Sequence, residues 1–283
     1  MASTKLAHHR YGKAANRLVR IVRETDRHEI RDLTVDIALH GDFERSYTES
    51  DNTDMPATDS MKNSVYALAQ EHLTGSIEDY GAVIAKELTA TGPLVAGATV
   101  HLVEHPWTRL PGGADGHDHA WRRDSSGDHE AWVTWDGSSV HVEAGIGDLF
   151  VLKSTQSGWS NFQDDKFRTL ADTDDRILAT IVSARWVYGD GAQLDYQATW
   201  EAILALVVER FADHFSTSVQ ATIYRICGAV LEAFESVEEI TMTLPNRHHL
   251  RYDLEPFGQE NPNVVFVATS EPYGLIEATV ART

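Results

Sequence analysis

The chain has 283 residues, 42% of them hydrophobic and 24% charged, enough to bury one large core or two cores of ordinary size. Its 43 acidic and 24 basic side chains give a formal net charge of -19, which repels nucleic acid and anionic lipid, so we expect neither as a partner. The single cysteine, Cys227, excludes a disulfide framework and favours a reducing compartment. No stretch approaches the ~20 apolar residues of a membrane span, and the first residues lack a signal peptide's apolar run, so we expect a cytoplasmic protein.

Apolar residues in the first half of the chain follow two different periods. Alternation of apolar and polar residues predicts half-buried strands, and helical spacing behind Asp and Ser caps predicts two helices. The predicted strands are 17–24, 28–41, 97–107 and 129–154, the last folded around a WDGSS turn, and the predicted helices are 59–72 and 76–92. The first half therefore reads strand, strand, helix, helix, strand, strand.

The second half repeats this order of elements without repeating the letters. The predicted strands are 149–155, 176–189, 238–254 and 263–280, and the predicted helices are 196–215 and 218–235. Such a repeat indicates duplication, with a four-stranded antiparallel sheet and a helix pair on one face in each copy, an α+β class. We place the boundary between residues 1–143 and 144–283. Because such sheets have open edges, we expect copies and subunits to join edge to edge into a barrel.

Two long polar segments interrupt the pattern and are typical of functional or solvated loops. They are the Gly-rich segment 110–119 and the Asp-rich segment 154–175. Trp159 lies in the second loop, either as a lid over a local cluster or as a stacking platform. Arg176 ends that loop after two Asp residues, so its side chain serves either a surface ion pair or a planar anion held by two parallel hydrogen bonds.

Further candidate residues lie at element ends, and each has a structural alternative. Lys13 precedes the first predicted strand, either as a solvated charge or as a base shielded from water. Thr58 and Asp59 open a helix, where such residues usually act as caps. Gln220 opens another helix, where free amides favour an anion. His248 and His249 follow a strand-like segment. Because successive side chains of a strand point to opposite faces, only one of these two imidazoles can point into a given site.

Seven short motifs occur in order along nearly the whole chain: YGK, ATDSMKN, VLKST, DRIL, SVQAT, LPNRHH and PYGLIEATV. In this order the set resembles the cofactor-independent urate oxidase (uricase) family. The resemblance implies two tandem T-fold domains per subunit and a homotetramer, a tunnel-shaped β-barrel assembly with active sites between subunits. It also implies urate as the substrate, O2 as the co-substrate and no metal or organic cofactor.

The resemblance assigns proton transfer to three residues of this chain. Lys13 and Thr58 form a catalytic dyad, and His248 completes a proton relay to Lys13. Asp59 holds the ligand through its backbone amide. The product is 5-hydroxyisourate, released with hydrogen peroxide.

The resemblance assigns substrate binding to a second set of residues. Arg176 and Gln220 grip the urate edge with help from the Val219 backbone, and Asn246 lies over the ring where O2 or water reacts. The family's stacking residue is usually Phe, whereas Trp159 occupies that position here, with Phe162 as the alternative if the loop aligns differently. Arg247 and His249 are expected to face elsewhere.

Two other functions remain open at this point. A metal-dependent enzyme of the same fold, acting on pterins or purines, would use ligands such as His117, Asp118 and His119 together with His248 and His249. A catalytically inactive purine-binding T-fold protein would keep the pocket without the reaction. Activity that survives a strong chelator would exclude the metal-dependent enzyme. Urate binding without oxygen uptake would identify the inactive purine-binding protein.

Overall fold

A computed structural model describes residues 4–189 and 194–283. Within these residues the chain forms two compact units. The first comprises the residues up to Gly145 and the segment ending at Trp200, and the second comprises Ile146–Gly189 and Glu201–Thr283. Among the described residues, no helix is long and apolar enough to cross a membrane.

The first unit is an antiparallel sheet covered by a helix pair. Its elements are β1 (Tyr11–Val22), β2 (Glu29–Gly41), α1 (Glu44–Thr48), α2 (Thr58–His72), α3 (Ile77–Thr89), β3 (Val95–Glu104), β4 (Trp107–Arg109), β5 (Trp121–Arg123) and β6 (Asp128–Trp135). The sheet order is β1-β2-β3-β6, while β4 and β5 form a separate two-stranded hairpin. Helix α3 packs on β3 and β6, and α2 packs on β1.

The second unit repeats this plan. Its elements are β7 (Val140–Lys153) and α4 (Tyr196–Ala212), both of which begin within the first unit's residues, then β8 (Leu178–Tyr188), α5 (Val219–Ala233), β9 (Val237–Asn246), β10 (His249–Arg251), a 3-10 turn (Glu255–Phe257), β11 (Phe266–Ala268) and β12 (Gly274–Ala281). The sheet order is β7-β8-β9-β12, and α5 packs on β9 and β12. The predicted repeat of four strands and two helices is confirmed.

The predicted periodicities correspond to buried faces. In α3 the side chains of Ile77, Tyr80, Ile84 and Leu88 are all buried, and they recur at three- to four-residue spacing. Burial of such a side chain stabilises the fold by about 1.5–3 kcal/mol. Cys227 is fully buried in α5, and burial raises the pKa of its thiol to about 12.

Two predicted boundaries differ from the structure for local reasons. β1 starts at Tyr11 rather than at residue 17, because its register shifts between Lys13 and Asn16 and the shift breaks the alternation. The hairpin predicted at 129–154 is present as β6 and β7, whereas the separate strand predicted at 149–155 is the end of β7.

Gly12 lies where β1 approaches β2 too closely for a side chain. A Cβ there would sit 1.9 Å from the carbonyl oxygen of Ile37, and backbone cannot rotate away as a side chain does. We expect Gly12→Ala to lower the free energy of unfolding by about 1–3 kcal/mol or more. The measurement is thermal unfolding at one fixed protein concentration.

The matched control is Gly228→Ala in α5, where an added Cβ meets nothing within 4 Å. Alanine there should stabilise the helix by about 0.5–1 kcal/mol. An unchanged unfolding temperature for Gly12→Ala would contradict the close approach of the two strands.

Candidate active site

A cavity of about 600 Å³ in the second unit brings four of the predicted site residues together. They are Trp159, Arg176, Asn246 and His248. The remaining lining residues are Leu170, Ala171, Asp172, Thr173, Asp175, Ile177, His249, Leu250, Arg251, Asn263 and Phe266. An aromatic ring, a guanidinium, an amide and imidazoles around one space suit a flat polar ligand.

A short segment, 156–159, fixes the side of the cavity that carries Trp159. On one edge it pairs with Ser216, which donates its amide to the Gln156 carbonyl and accepts from Gly158, both at 2.8 Å. On the other edge Trp159 exchanges two backbone hydrogen bonds with Thr173, at 2.7 and 2.9 Å. The loop backbone is therefore held on both sides, although the sequence reads as an irregular polar stretch.

The Trp159 side chain is already in contact with two neighbours. The Phe162 ring stacks on it with centroids 4.8 Å apart, and the Arg168 guanidinium lies 4.9 Å from the indole centroid. Arg168 also pairs with Asp172 and donates to the Phe162 carbonyl at 3.2 Å. The lid and platform interpretations of Trp159 are compatible, since the ring belongs to a local cluster and also lines the cavity.

Arg176 is held by the same segment rather than by an acid. Its backbone amide donates to the Ser157 carbonyl at 2.9 Å, and its Nε donates to the Ser157 hydroxyl at 3.2 Å. Burial lowers the pKa of the guanidinium. The neighbouring Asp175 instead accepts from Thr155 and Asn263. Within residues 4–189 and 194–283 Arg176 forms no ion pair, which contradicts the ion-pair interpretation there, and Arg176 lines the cavity.

Asn246 and His248 lie where β9 ends. Asn246 is 8% exposed and pairs with Thr180 of β8 and Gly274 of β12, so its backbone is fixed on both sides. The His248 carbonyl accepts from the Thr269 amide at 2.9 Å. Burial, and then the charge of Arg176, lower the pKa of His248, which favours the neutral imidazole that a proton relay requires.

His249 also lines the cavity, so the expectation that it faces elsewhere is wrong. Strand alternation does not apply, because β9 ends at Asn246 and β10 begins at His249. His249 Nδ1 lies 3.0 Å from the Arg247 carbonyl oxygen, which fixes the ring proton on Nδ1. Arg247 stays outside the cavity lining, with its guanidinium 5.2 Å from the Tyr273 ring centroid.

Val219 and Gln220 form the first turn of α5. The Ser218 side chain caps this helix by accepting from the Ala221 amide at 3.1 Å. The amides of the first two helical residues have no preceding helical carbonyl to bind, which leaves them available to a ligand. Val219 is buried, and the Gln220 side chain is exposed. Neither is among the residues that line the described cavity.

Lys13 lies in the first unit, inside β1 rather than before it. It pairs with Ile37, and the bulge that follows places Ala15 in the left-handed region at φ 57°. Asn16 is buried and bridges the bulge, donating to the Val35 carbonyl at 2.7 Å and to the Lys13 carbonyl at 3.3 Å. The bulge thus gives Lys13 a defined position, and its side chain is half-buried.

Thr58 and Asp59 begin α2, close to β1. The N-cap is Ala57 and makes no side-chain cap, so the cap interpretation of Thr58 is wrong: it is the first helical residue. Asp59 accepts from Lys62 at 2.6 Å and from Asn63 at 3.0 Å. The Lys62 hydrogen bond lowers the pKa of Asp59, and the charge of Lys13 adds to the shift, so Lys13 lies within electrostatic reach of this turn.

The histidines proposed as metal ligands do not form such a site in the described chain. His117 and His119 are in contact, with ring centroids 4.5 Å apart, but His117 Nδ1 accepts from the His119 amide at 3.3 Å. Across residues 4–189 and 194–283, no group of three or more His, Cys, Asp or Glu side chains is arranged to hold a metal ion.

Comparison with known proteins matches nearly the whole chain to one family. The family model described as Uricase matches residues 9–134 and 142–277. The uricase of Arthrobacter globiformis is 43% identical over 277 residues, covering 98% of this chain and 90% of that protein. The chain belongs to the uricase family. The family also includes the uricase of Dictyostelium discoideum, 37% identical over 98% of this chain and 97% of that protein.

Solved structures in the uricase family have the same fold. The crystal structure of uricase from Arthrobacter globiformis matches with a TM-score of 0.93 at 43% identity, covering 99% of this chain and 96% of that one. A urate oxidase from Bacillus sp. TB-90 matches with a TM-score of 0.84 at 19% identity, covering 97% and 100%, which shows the fold alone. The predicted tandem T-fold is confirmed.

Proposed function

We propose that the protein is a urate oxidase, which converts urate, O2 and water into 5-hydroxyisourate and hydrogen peroxide. Membership of the uricase family over nearly the full chain carries this proposal. The cavity supports it independently, because Arg176, Asn246, His248 and Trp159 surround one space that suits a flat polar ring.

Urate is bound at its edge and on its face. The half-buried Arg176 offers parallel donors to the anionic edge, and Ser157 restricts its rotation. Gln220 grips the same edge, while the free amides at Val219 and at Asp59 donate to ring oxygens or nitrogens. Trp159 stacks on the purine face. The Trp159 ring now contacts Phe162 and Arg168, and urate either stacks beside these two contacts or replaces one of them.

Lys13 and Thr58 remove a second proton from bound urate, and His248 relays it. The electron-rich dianion is itself the reductant. O2 takes up two electrons and a proton and forms a peroxide adduct on the purine ring, on the side of the ring where Asn246 lies. Departure of hydrogen peroxide and addition of water at the same carbon give 5-hydroxyisourate, so the reaction balances without an electron-carrying cofactor or a metal.

The proposed site uses residues of both units, and we assign their convergence to the homotetramer. Exposed apolar side chains on the strands support assembly, among them Val19 of β1, Phe150 and Leu152 of β7, and Leu275 of β12. Each subunit contributes the proposed domains 1–143 and 144–283, and edge-to-edge association of subunits closes the barrel-shaped tunnel and places active sites between subunits.

The testing experiment is a chelator-treated assay with urate, since it also decides between the alternatives. Loss of urate absorbance is followed together with O2 uptake and peroxide release, at low and high salt. We expect equal amounts of urate and O2 consumed and peroxide formed. Activity that the chelator abolishes indicates a metal enzyme, and urate binding without O2 uptake indicates an inactive purine-binding protein. Cell fractionation of the native host tests the proposed cytoplasmic location.

Trp159 should support catalysis through its ring face rather than through its indole nitrogen. We expect Trp159→Phe to retain activity, and Trp159→Ala to lower kcat/KM about 10- to 100-fold, because stacking on a base is worth about 1–3 kcal/mol. Steady-state kinetics with urate measure both. The control is Phe167→Ala in the same loop, which removes a ring that is 80% exposed. Full activity of Trp159→Ala would contradict the stacking role.

A further inference from the structure

A buried network of three polar side chains lies beneath the first turn of α5. Ser216 and Thr222 have no exposed surface, and His214 is half-buried. Thr222 Oγ1 lies 2.7 Å from Ser216 Oγ and 3.0 Å from His214 Nε2. None of the three is among the residues assigned to urate or to proton transfer, so their burial needs another explanation.

The tautomer of His214 follows from the hydrogen bond of this ring to a backbone carbonyl. His214 Nδ1 lies 2.7 Å from the Arg210 carbonyl oxygen, which only accepts, so Nδ1 carries the proton. Burial, and then the charge of Lys153, lower the pKa of His214, which keeps the ring neutral and Nε2 an acceptor. Thr222 Oγ1 can therefore donate to Nε2 or to the Ser218 carbonyl oxygen, 3.1 Å away. Ser216 Oγ lies 3.2 Å from the same carbonyl oxygen and can donate to it or to Thr222 Oγ1.

The network links the two elements that are proposed to grip urate. Thr222 belongs to the first turn of α5, together with Val219 and Gln220. Ser216 pairs with the segment 156–159 through two backbone hydrogen bonds. That segment carries Ser157, whose hydroxyl accepts from Arg176 Nε. Hydrogen bonds, joined by the covalent bonds of Ser216 and of the segment 156–159, thus link the start of α5 to the guanidinium.

We propose that His214, Ser216 and Thr222 are positioning residues that set the first turn of α5 against Arg176. The proposal rests on the proposed function, because these two elements are the two sides of the proposed grip on urate. Removal of the Thr222 hydroxyl takes away the group that joins Ser216 Oγ to His214 Nε2, and leaves Ser216 Oγ with only its 3.2 Å contact to the Ser218 carbonyl oxygen. The first turn then shifts or loosens, and the Gln220 side and the Arg176 side of the grip no longer fit one ligand edge.

The test compares Thr222→Val, which keeps the side-chain shape, with Thr222→Ser, which keeps the hydroxyl. For Thr222→Val we expect the urate Kd without O2, and the KM, to rise about 10- to 100-fold, as for a small misplacement of a binding group, with kcat changed much less. Thr222→Ser should restore most of the affinity. Hydrogen exchange of ligand-free protein should be faster over 216–223 in Thr222→Val alone.

The control is Thr89→Val, which removes a helical hydroxyl that donates to the Ala85 carbonyl at 2.8 Å in the first unit. A urate Kd and a hydrogen-exchange rate in Thr222→Val equal to those of the wild type would overturn the proposal. An equal loss of urate affinity in Thr222→Ser would also overturn it, because the role would then belong to packing of the Thr222 methyl group. If Thr222→Val does not fold, Ser216→Ala provides the same comparison. A wild-type protein that neither binds nor oxidises urate overturns the proposed function, whereas the exchange experiment still tests the network.

Discussion

Replacement of Lys13 by Met should lower kcat by about 10²- to 10⁴-fold while urate still binds, since general acid–base catalysis contributes this much. The bulge after Lys13 and the first turn of α2 fix the backbone at Lys13 and Thr58, and Thr58 is not the N-cap of its helix. Thr58→Val should have a similar effect. If the proposed dyad acts as one unit, the double variant should lose little more than either single variant.

The measurements for the dyad are kcat with urate and the urate Kd without O2. Lys86→Met is the matched control. Lys86 belongs to α3 of the same unit, its Nζ lies 5.3 Å from the Trp135 ring centroid, and it has no assigned role in binding or catalysis. A Lys13→Met variant that keeps wild-type kcat would remove Lys13 from the mechanism. Equal losses of binding and turnover would make it a binding residue instead.

Arg176→Lys should lower kcat/KM about 100-fold, mainly through KM. Lysine keeps the positive charge but lacks the planar fork, and each hydrogen bond to a charged group is worth about 1.5–3 kcal/mol. The shorter ammonium group also loses the Ser157 contact that orients the guanidinium. Arg225→Lys, on the exposed surface of α5, is the control. An unchanged KM in Arg176→Lys would mean that charge alone holds the substrate.

Regular periodicity explains what the sequence could predict of the fold. The α3 stripe of Ile77, Tyr80, Ile84 and Leu88 is long enough to define a helix, and alternation defines the long strands. The five-residue α1 and the three-residue strands β4 and β5 were missed, because so few residues complete no period.

The candidate site shows a sharper limit. The resemblance of the ordered motifs to the uricase family identified Arg176, Asn246 and His248, which the cavity brings together. The support of Arg176 by Ser157 could not be predicted, because it depends on backbone pairing between 156–159 and Ser216 across a long sequence separation. His249 was misplaced because the break after Asn246 resets the side-chain directions, so alternation cannot be carried from β9 into β10.

The burial of Cys227 has a consequence for the durability of the catalyst. The proposed reaction releases hydrogen peroxide beside the protein at every turnover, and peroxide oxidises the thiolate rather than the thiol. The only sulfhydryl of the chain is fully enclosed in α5, with a pKa of about 12, so almost none of it is ionised at neutral pH. The chain is thereby protected at its cysteine from self-inactivation by its own product.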